Sequence, residues 1–303
     1  MAPPASRTAL VTGANKGIGL AIVRNLALQY PSSTLSHNGT VPLLIYLTAR
    51  DQARGEAALA SLEADASLKK AKALARDGGL STIKYRALDI SKEDSIQAMS
   101  DFLSSSEEDG GGGSLDVVVN NAGIALQGFD ADVVRTTLHT NYTNTTIAVR
   151  KFIPLLRRSR SGGHARLVNV TSMSGELNSK YSPQIASKFR ATKSVADVDA
   201  LVGSFKTAVE RGTHKEEGWP SAAYAVSKSG VTAMTRAVAK EEMEAGSGVL
   251  VNCCCPGWVK TDMTKGSGYK SVDQGAMTPV MLALGELGGV EGEYWQHEKV
   301  KRW

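Results

Sequence analysis

The sequence is poor in cysteine. Its only three stand side by side as Cys253, Cys254 and Cys255. Neighbouring residues of a strand point to opposite faces, so these three cannot all pair with one another, and no fourth thiol is available. There is no C-x-x-C and no set of histidines at ligand spacing, which argues against a structural zinc site, and no metal is expected. Reduced, half-buried thiols in a cytosolic protein are the plain expectation. No run of about 18 apolar residues occurs, so no membrane-spanning helix is expected. The opening residues Met1–Arg7 lack a secretory apolar stretch and lead straight into a strand-like segment, which points to a cytoplasmic location. Without a secretory signal, the Asn-x-Ser/Thr sequons at Asn38, Asn141, Asn144 and Asn169 carry no weight. Charge of one sign is also scarce. The 35 basic residues are interspersed with 30 acidic ones, for a net charge of +5, and no Lys/Arg block exceeds a pair. That favours a solvated surface over a nucleic-acid footprint, and the small positive excess suits a phosphate-rich cofactor.

What is present, over 303 residues with 42% hydrophobic content, is an alternation of strand-like and helix-like segments. Strands are expected near 9–12, 43–48, 83–88, 115–119, 165–171, 249–254 and 293–296. Helices are expected near 18–30, 52–76, 92–104, 130–157, 182–190, 197–211 and 221–245. This is the pattern of an α/β fold, a parallel sheet covered by helices on both faces. The polar stretch Pro31–Thr40 and the glycine-rich stretch Ser104–Ser114 read as loops inside one domain spanning 1–303.

The first strand runs into Thr12-Gly13-Ala14-Asn15-Lys16-Gly17-Ile18-Gly19 and then a helix. Glycines let the backbone turn tightly and approach a pyrophosphate, while a helix start offers free N–H donors and a positive dipole end. The spacing is G-x-x-x-G-x-G rather than the commoner G-x-G-x-x-G. After the second strand come Ala49, Arg50, Asp51 and Arg54. An acidic side chain here would select a ribose 2′-hydroxyl. Arginine instead grips a 2′-phosphate, and Lys16 can reach toward the same group, so NADP(H) is favoured over NAD(H). Asp51 is a mild counter-indication.

Tyr224 and Lys228 stand four apart at the start of a helix and share one face. A neighbouring ammonium favours phenolate and would draw the tyrosine pKa toward the working pH, as proton transfer to a carbonyl oxygen requires. Such a pair arises easily by chance in a chain with eight tyrosines, so its weight comes from its company.

With the glycine turn, Asn120-Asn121-Ala122-Gly123 after a strand, Ser172 at a strand end, Tyr224, Lys228 and Pro256-Gly257 in that order, the chain resembles the short-chain dehydrogenase/reductase family over nearly its whole length. More narrowly it is similar to the monomeric NADPH-dependent carbonyl reductase branch, on Asn15–Gly19, Leu47–Asp51, Glu217–Ser221 and Cys254–Val259. The resemblance implies a Rossmann-type doubly wound sheet of about seven strands. It implies reduction of aldehydes, ketones or quinones by hydride from NADPH, with Tyr224 as general acid. Lys228 would hold the nicotinamide ribose and depress the Tyr224 pKa, and Ser172 would hydrogen-bond the substrate carbonyl. Asn141 would help carry a relay water. Gly13, Asn15, Lys16, Gly17, Ile18, Gly19, Arg50, Arg54, Asp89, Ile90, Asn120, Ala122 and Gly123 would line the cofactor. Pro256, Gly257, Val259 and Thr261 would flank the nicotinamide, and Trp258 would face the substrate. Ser172 and Tyr224 lie 52 positions apart, far more than in the family at large. The 175–218 segment is thus a helical insertion of the kind the carbonyl reductase branch carries, which implies a monomer. Ser174 competes with Ser172 for its role. An alcohol dehydrogenase working oxidatively, and a non-catalytic NADP-binding redox sensor, are the alternative functions.

Overall fold

The structure, a computed structural model, describes residues 6–105, 113–163 and 165–303. Most of the glycine-rich 104–114 stretch therefore lies outside the described residues. Among those described, a single sheet of eight strands forms the frame, in the order β3-β2-β1-β4-β5-β6-β7-β8. The strands are β1 (Arg7–Val11), β2 (Leu43–Ala49), β3 (Ser81–Ala87), β4 (Val117–Asn120), β5 (Ala165–Val170), β6 (Val249–Cys255), β7 (Tyr294–Gln296) and β8 (Lys299–Val300). All neighbours pair in parallel except β7 and β8. The eighth strand, beyond the seven expected, follows from His297 and Glu298, both at positive φ, which turn the chain back into a tight hairpin.

Strands of a parallel sheet are covered on both faces, so they read as continuous apolar runs. Every residue of β1, β2, β4 and β5 is buried. Among the described residues, ten α-helices connect or cover them: α1 (Gly17–Gln29), α2 (Gln52–Ala64), α3 (Ala66–Lys70), α4 (Glu93–Ser105), α5 (Ala131–Leu138), α6 (Asn144–Leu156), α7 (Pro183–Ala191), α8 (Val195–Glu210), α9 (Ala223–Glu244) and α10 (Val272–Leu284). One core packs α1, α2, α3 and α10 on one face of the sheet, and the other packs α4 to α9 on the opposite face. The three cysteines divide accordingly. Cys254 faces the first core and Cys253 and Cys255 the second. All three are fully buried, not half-buried, because β6 is a central strand.

Two expected long helices are broken. The 52–76 helix stops at Ala64. Asp65 closes it and starts α3, its carboxylate accepting from Ser67 N and Leu68 N. The 130–157 helix is interrupted by a π turn, His139–Thr143, a device common at functional positions. The Pro31–Thr40 stretch folds as short 3₁₀ turns held by Tyr30 and Arg7, at the starting end of the strands.

Candidate active site

The strand order reverses direction at β1 and β4, which leaves a crevice at the strand ends where ligands of doubly wound sheets bind. The glycine turn fills this position. Gly13 and Gly17 have φ of +62° and +58°, in the left-handed region. A side chain at Gly13 would stand 2.9 Å from Ala122 Cα, and one at Gly19 only 2.4 Å from Gly13 O. The turn is braced from β4: Thr12 Oγ1 accepts from Asn121 N and Ala122 N, and Asn121 Nδ2 donates to Thr12 O and Gly13 O, all between 3.0 and 3.1 Å. No side chain among the described residues caps the start of α1, so its first N–H groups are open to an anion.

Beyond the end of β2, Arg50 and Arg54 are exposed, and no ion pair involves either among the described residues. Asp51 does not compete for a ribose, because its carboxylate caps α2 by accepting from Arg54 N at 2.8 Å. Asp89 Oδ1 accepts from Ser91 N and Oγ, and Ile90 O accepts from Asn144 Nδ2. Asn120 turns inward and donates to Asn169 Oδ1 at 2.9 Å, while its own buried Oδ1 lacks a partner among the described residues.

At the chemical end, helix α9 presents Tyr224 and Lys228 toward the end of β5. Ser172 caps the 3₁₀ turn Met173–Gly175, its Oγ accepting from Ser174 N at 3.1 Å. Tyr224 does not meet the expectation of an acidified phenol. Burial pushes it up to about 12, and only the Ser172 hydroxyl pulls it back down. Lys228 gives no counterweight. Its Nζ stands 5.7 Å from the ring centroid and donates to Val170 O at 2.8 Å, and burial brings its pKa down to about 8. Desolvation disfavours the charged form of both groups. Asn141, on the π turn, accepts from Ile124 N and donates to Ile124 O, both at 2.8 Å, and reaches Ser227 Oγ at 3.2 Å. Its side chain thus braces the Asn120–Gly123 turn. Gly123 leaves a cradle: a methyl there would lie 3.2 Å from Asn141 Oδ1 and 3.6 Å from Lys228 Nζ.

The opposite wall follows β6. Gly257 (φ +90°) leads into Trp258, Val259 and Thr261. A side chain at Gly17 would lie 3.6 Å from Thr261 Cγ2, so the glycine turn and this segment face one space. Val259 is buried beside Ile18 over α10. Trp258 is 43% exposed and donates to Ser267 O at 3.0 Å, an apolar surface rather than core. Lys16 pairs with Asp262 at 2.5 Å across the mouth.

The family model for short chain dehydrogenase matches residues 44–201 and 208–271. The chain belongs to this family. Carbonyl reductase (NADPH) 1 of Macaca fascicularis is 39% identical over 98% of this chain and 98% of its own length. Carbonyl reductase (NADPH) 3 of Rattus norvegicus is 39% identical, covering 92% and 91%. Among solved structures, salutaridine reductase from Papaver somniferum superposes with a TM-score of 0.76 at 25% identity, covering 95% of this chain and 99% of that one.

For a short chain dehydrogenase, sequence reasoning had passed over Thr12, Asn121 and Ser227 as working parts. Thr12, at the head of the glycine turn, and Asn121, across from it, shape the turn, and Ser227 holds Asn141 while donating to Tyr224 O at 2.8 Å. Asn121 stood inside the quoted Asn-Asn-Ala-Gly motif, which was the available signal.

Proposed function

We propose that the chain reduces the carbonyl group of a small molecule, an aldehyde, ketone or quinone, with NADPH. The residues fit such a cofactor on three counts: the start of α1, which no side chain among the described residues caps, Arg50 and Arg54, exposed and without an ion pair among the described residues, and the cradle at Gly123 between Asn141 and Lys228. When bound, NADPH supplies the hydride. Gly13, Gly17 and Gly19 let the backbone approach the pyrophosphate, with Asn15, Ile18, Ala122, Asp89, Ile90 and Asn120 around the nucleoside. Lys228 holds the ribose beside the ring. Pro256, Gly257, Val259 and Thr261 wall the nicotinamide side, and Trp258 lines the substrate side. Ser172 donates to the carbonyl oxygen and stabilises the charge developing there.

The observation that carries this reading is the grouping of Tyr224 and Lys228 beside the Gly123 cradle: Lys228 Nζ lies 5.7 Å from the Tyr224 ring centroid and 3.6 Å from where a methyl at Gly123 would stand. A tyrosine is protonated at neutral pH, the state that donates a proton to the nascent alkoxide. Asn141 holds the turn facing Lys228 and so keeps the proton route in register.

The same reading takes 1–303 as one domain and the chain as a monomer in a reducing, cytoplasmic setting. Support comes from the 175–218 insertion, whose α8 buries Val198, Leu201, Val202 and Phe205 beside α5 and α9, and from three buried free thiols. No helix among the described residues is long and apolar enough to cross a membrane.

The test is NADPH consumption over quinones, aromatic ketones, α-dicarbonyls and ketoesters, with NADH as control, for the parent and for Tyr224→Phe. A reductase loses on the order of 10²-fold or more in turnover while still binding NADPH. A Tyr224→Phe chain that keeps its turnover removes Tyr224 from the chemistry.

A further inference from the structure

The turn that carries Ser172 is held from outside the crevice. Inside the turn, Gly175 N donates to Ser172 O at 2.9 Å, tying together the four residues Ser172 to Gly175. Gly175 presses so closely on α9 that a side chain there would stand 2.7 Å from Lys228 C and Ser229 N. Its carbonyl accepts the indole Nε1–H of Trp303 at 2.7 Å, and Ser229 Oγ lies 2.9 Å from the same oxygen. Trp303 is buried, packed edge-on against Phe189 of α7 at 6.1 Å, with the Arg236 guanidinium over its ring. Two residues earlier, Lys301 Nζ donates to Glu176 Oε1 at 2.6 Å, and Tyr294 OH donates to the same oxygen at 3.1 Å.

We propose that the segment after β8, through Trp303 and secondarily Lys301, is a positioning element for Ser172, fixing the Ser172–Glu176 turn against the helix that carries Tyr224 and Lys228. The proposal rests on the reductase reading for its kinetic arm only. Neither residue touches the reacting atoms. The indole N–H and the Lys301 ammonium determine where the turn sits, and the turn determines where the Ser172 hydroxyl points. The Phe189 contact ties the same anchor to the 175–218 insertion, so the insertion, this segment and the catalytic serine form one mechanical unit.

Trp303→Phe keeps the ring packing and removes the N–H donor. The expected result is a folded protein with parental NADPH affinity and KM, a kcat about fivefold lower, the worth of one neutral hydrogen bond, and faster amide exchange at 173–176. A purely structural role would lower the melting temperature and leave kcat per folded molecule unchanged. Lys301→Ala alters a half-exposed side chain and is expected to give a smaller change of the same kind. It decides the matter should Trp303→Phe fail to fold. Parental kcat and parental exchange at 173–176 in the folded variant overturn the proposal. If the parent chain itself turns over no carbonyl, the reductase reading fails, while the exchange measurement still tests the anchor.

Discussion

Lys16 and Asp262 join the two walls of the crevice, Nζ to Oδ2 at 2.5 Å, on side chains that are both largely exposed. The lysine holds the Asp262 carboxyl below its usual range. Lys16 must leave this partner to meet a 2′-phosphate. Asp262→Asn is therefore expected to tighten NADPH binding by less than about fivefold, the scale of an exposed pair, and to leave NADH unaffected. Calorimetric titration at low and high salt checks it, since the gain should fade as salt screens it. Weaker NADPH binding in the variant contradicts the competition.

Arg50, exposed and without an ion-pair partner among the described residues, is the residue from which cofactor choice is expected to arise. Arg50→Ser should lower the NADPH-to-NADH ratio of kcat/KM by about tenfold or more, because a charge-assisted, two-pronged grip on phosphate is lost. Arg54→Ser should give a smaller change in the same direction. A ratio that stays put in both variants would move the 2′-phosphate site elsewhere.

Lys228 sets a pH limit. Burial lowers its pKa to about 8, so it is an ammonium below that pH and loses its charge above it. NADPH affinity of the free protein should then weaken as pH rises through about 8. Lys228→Arg keeps its charge throughout and should give a flat profile, even where turnover is lost. Fluorescence titration across that range is the measurement, and a flat parental profile argues against the lowered pKa.

Gly123→Ala tests the cradle. The glycine does not need a left-handed backbone, so the variant should fold with a nearly unchanged melting temperature. Its methyl would crowd Asn141 Oδ1 at 3.2 Å and occupy space beside Lys228. NADPH binding should fall by about tenfold, the size expected when a small volume is overfilled. Parental affinity would mean that the ribose lies elsewhere.

The sheet was readable from the sequence because doubly buried strands are unbroken apolar runs, as in Leu43–Ala49 and Val249–Cys255. Helix breaks were less visible. Asp65 looks like one more polar residue of an Ala/Leu/Glu-rich helix until its carboxylate caps the next one. Nothing in His139–Thr143 announces a π turn. Motif residues at fixed spacing led to the crevice, since glycines and the Tyr–Lys pair are constrained by local geometry. A four-residue spacing says that two side chains share a helical face but not where each ends, so the direction of the Tyr224 shift was not legible. Lys228 finds a carbonyl on β5, and water exclusion governs the phenol. The brace from Thr12, 109 positions from Asn121, is a tertiary contact that no local pattern encodes.

The partition of the cysteine triplet gives the molecule a native set of reporters. One strand exposes Cys254 to the layer of α1 and α10, and Cys253 and Cys255 to the layer of α9. A thiol reagent meets neither layer while both are intact. As denaturant rises, the order in which mass-tagged alkylation reaches 254 against 253 and 255 will read out which helical layer peels from the sheet first, with no label or substitution added.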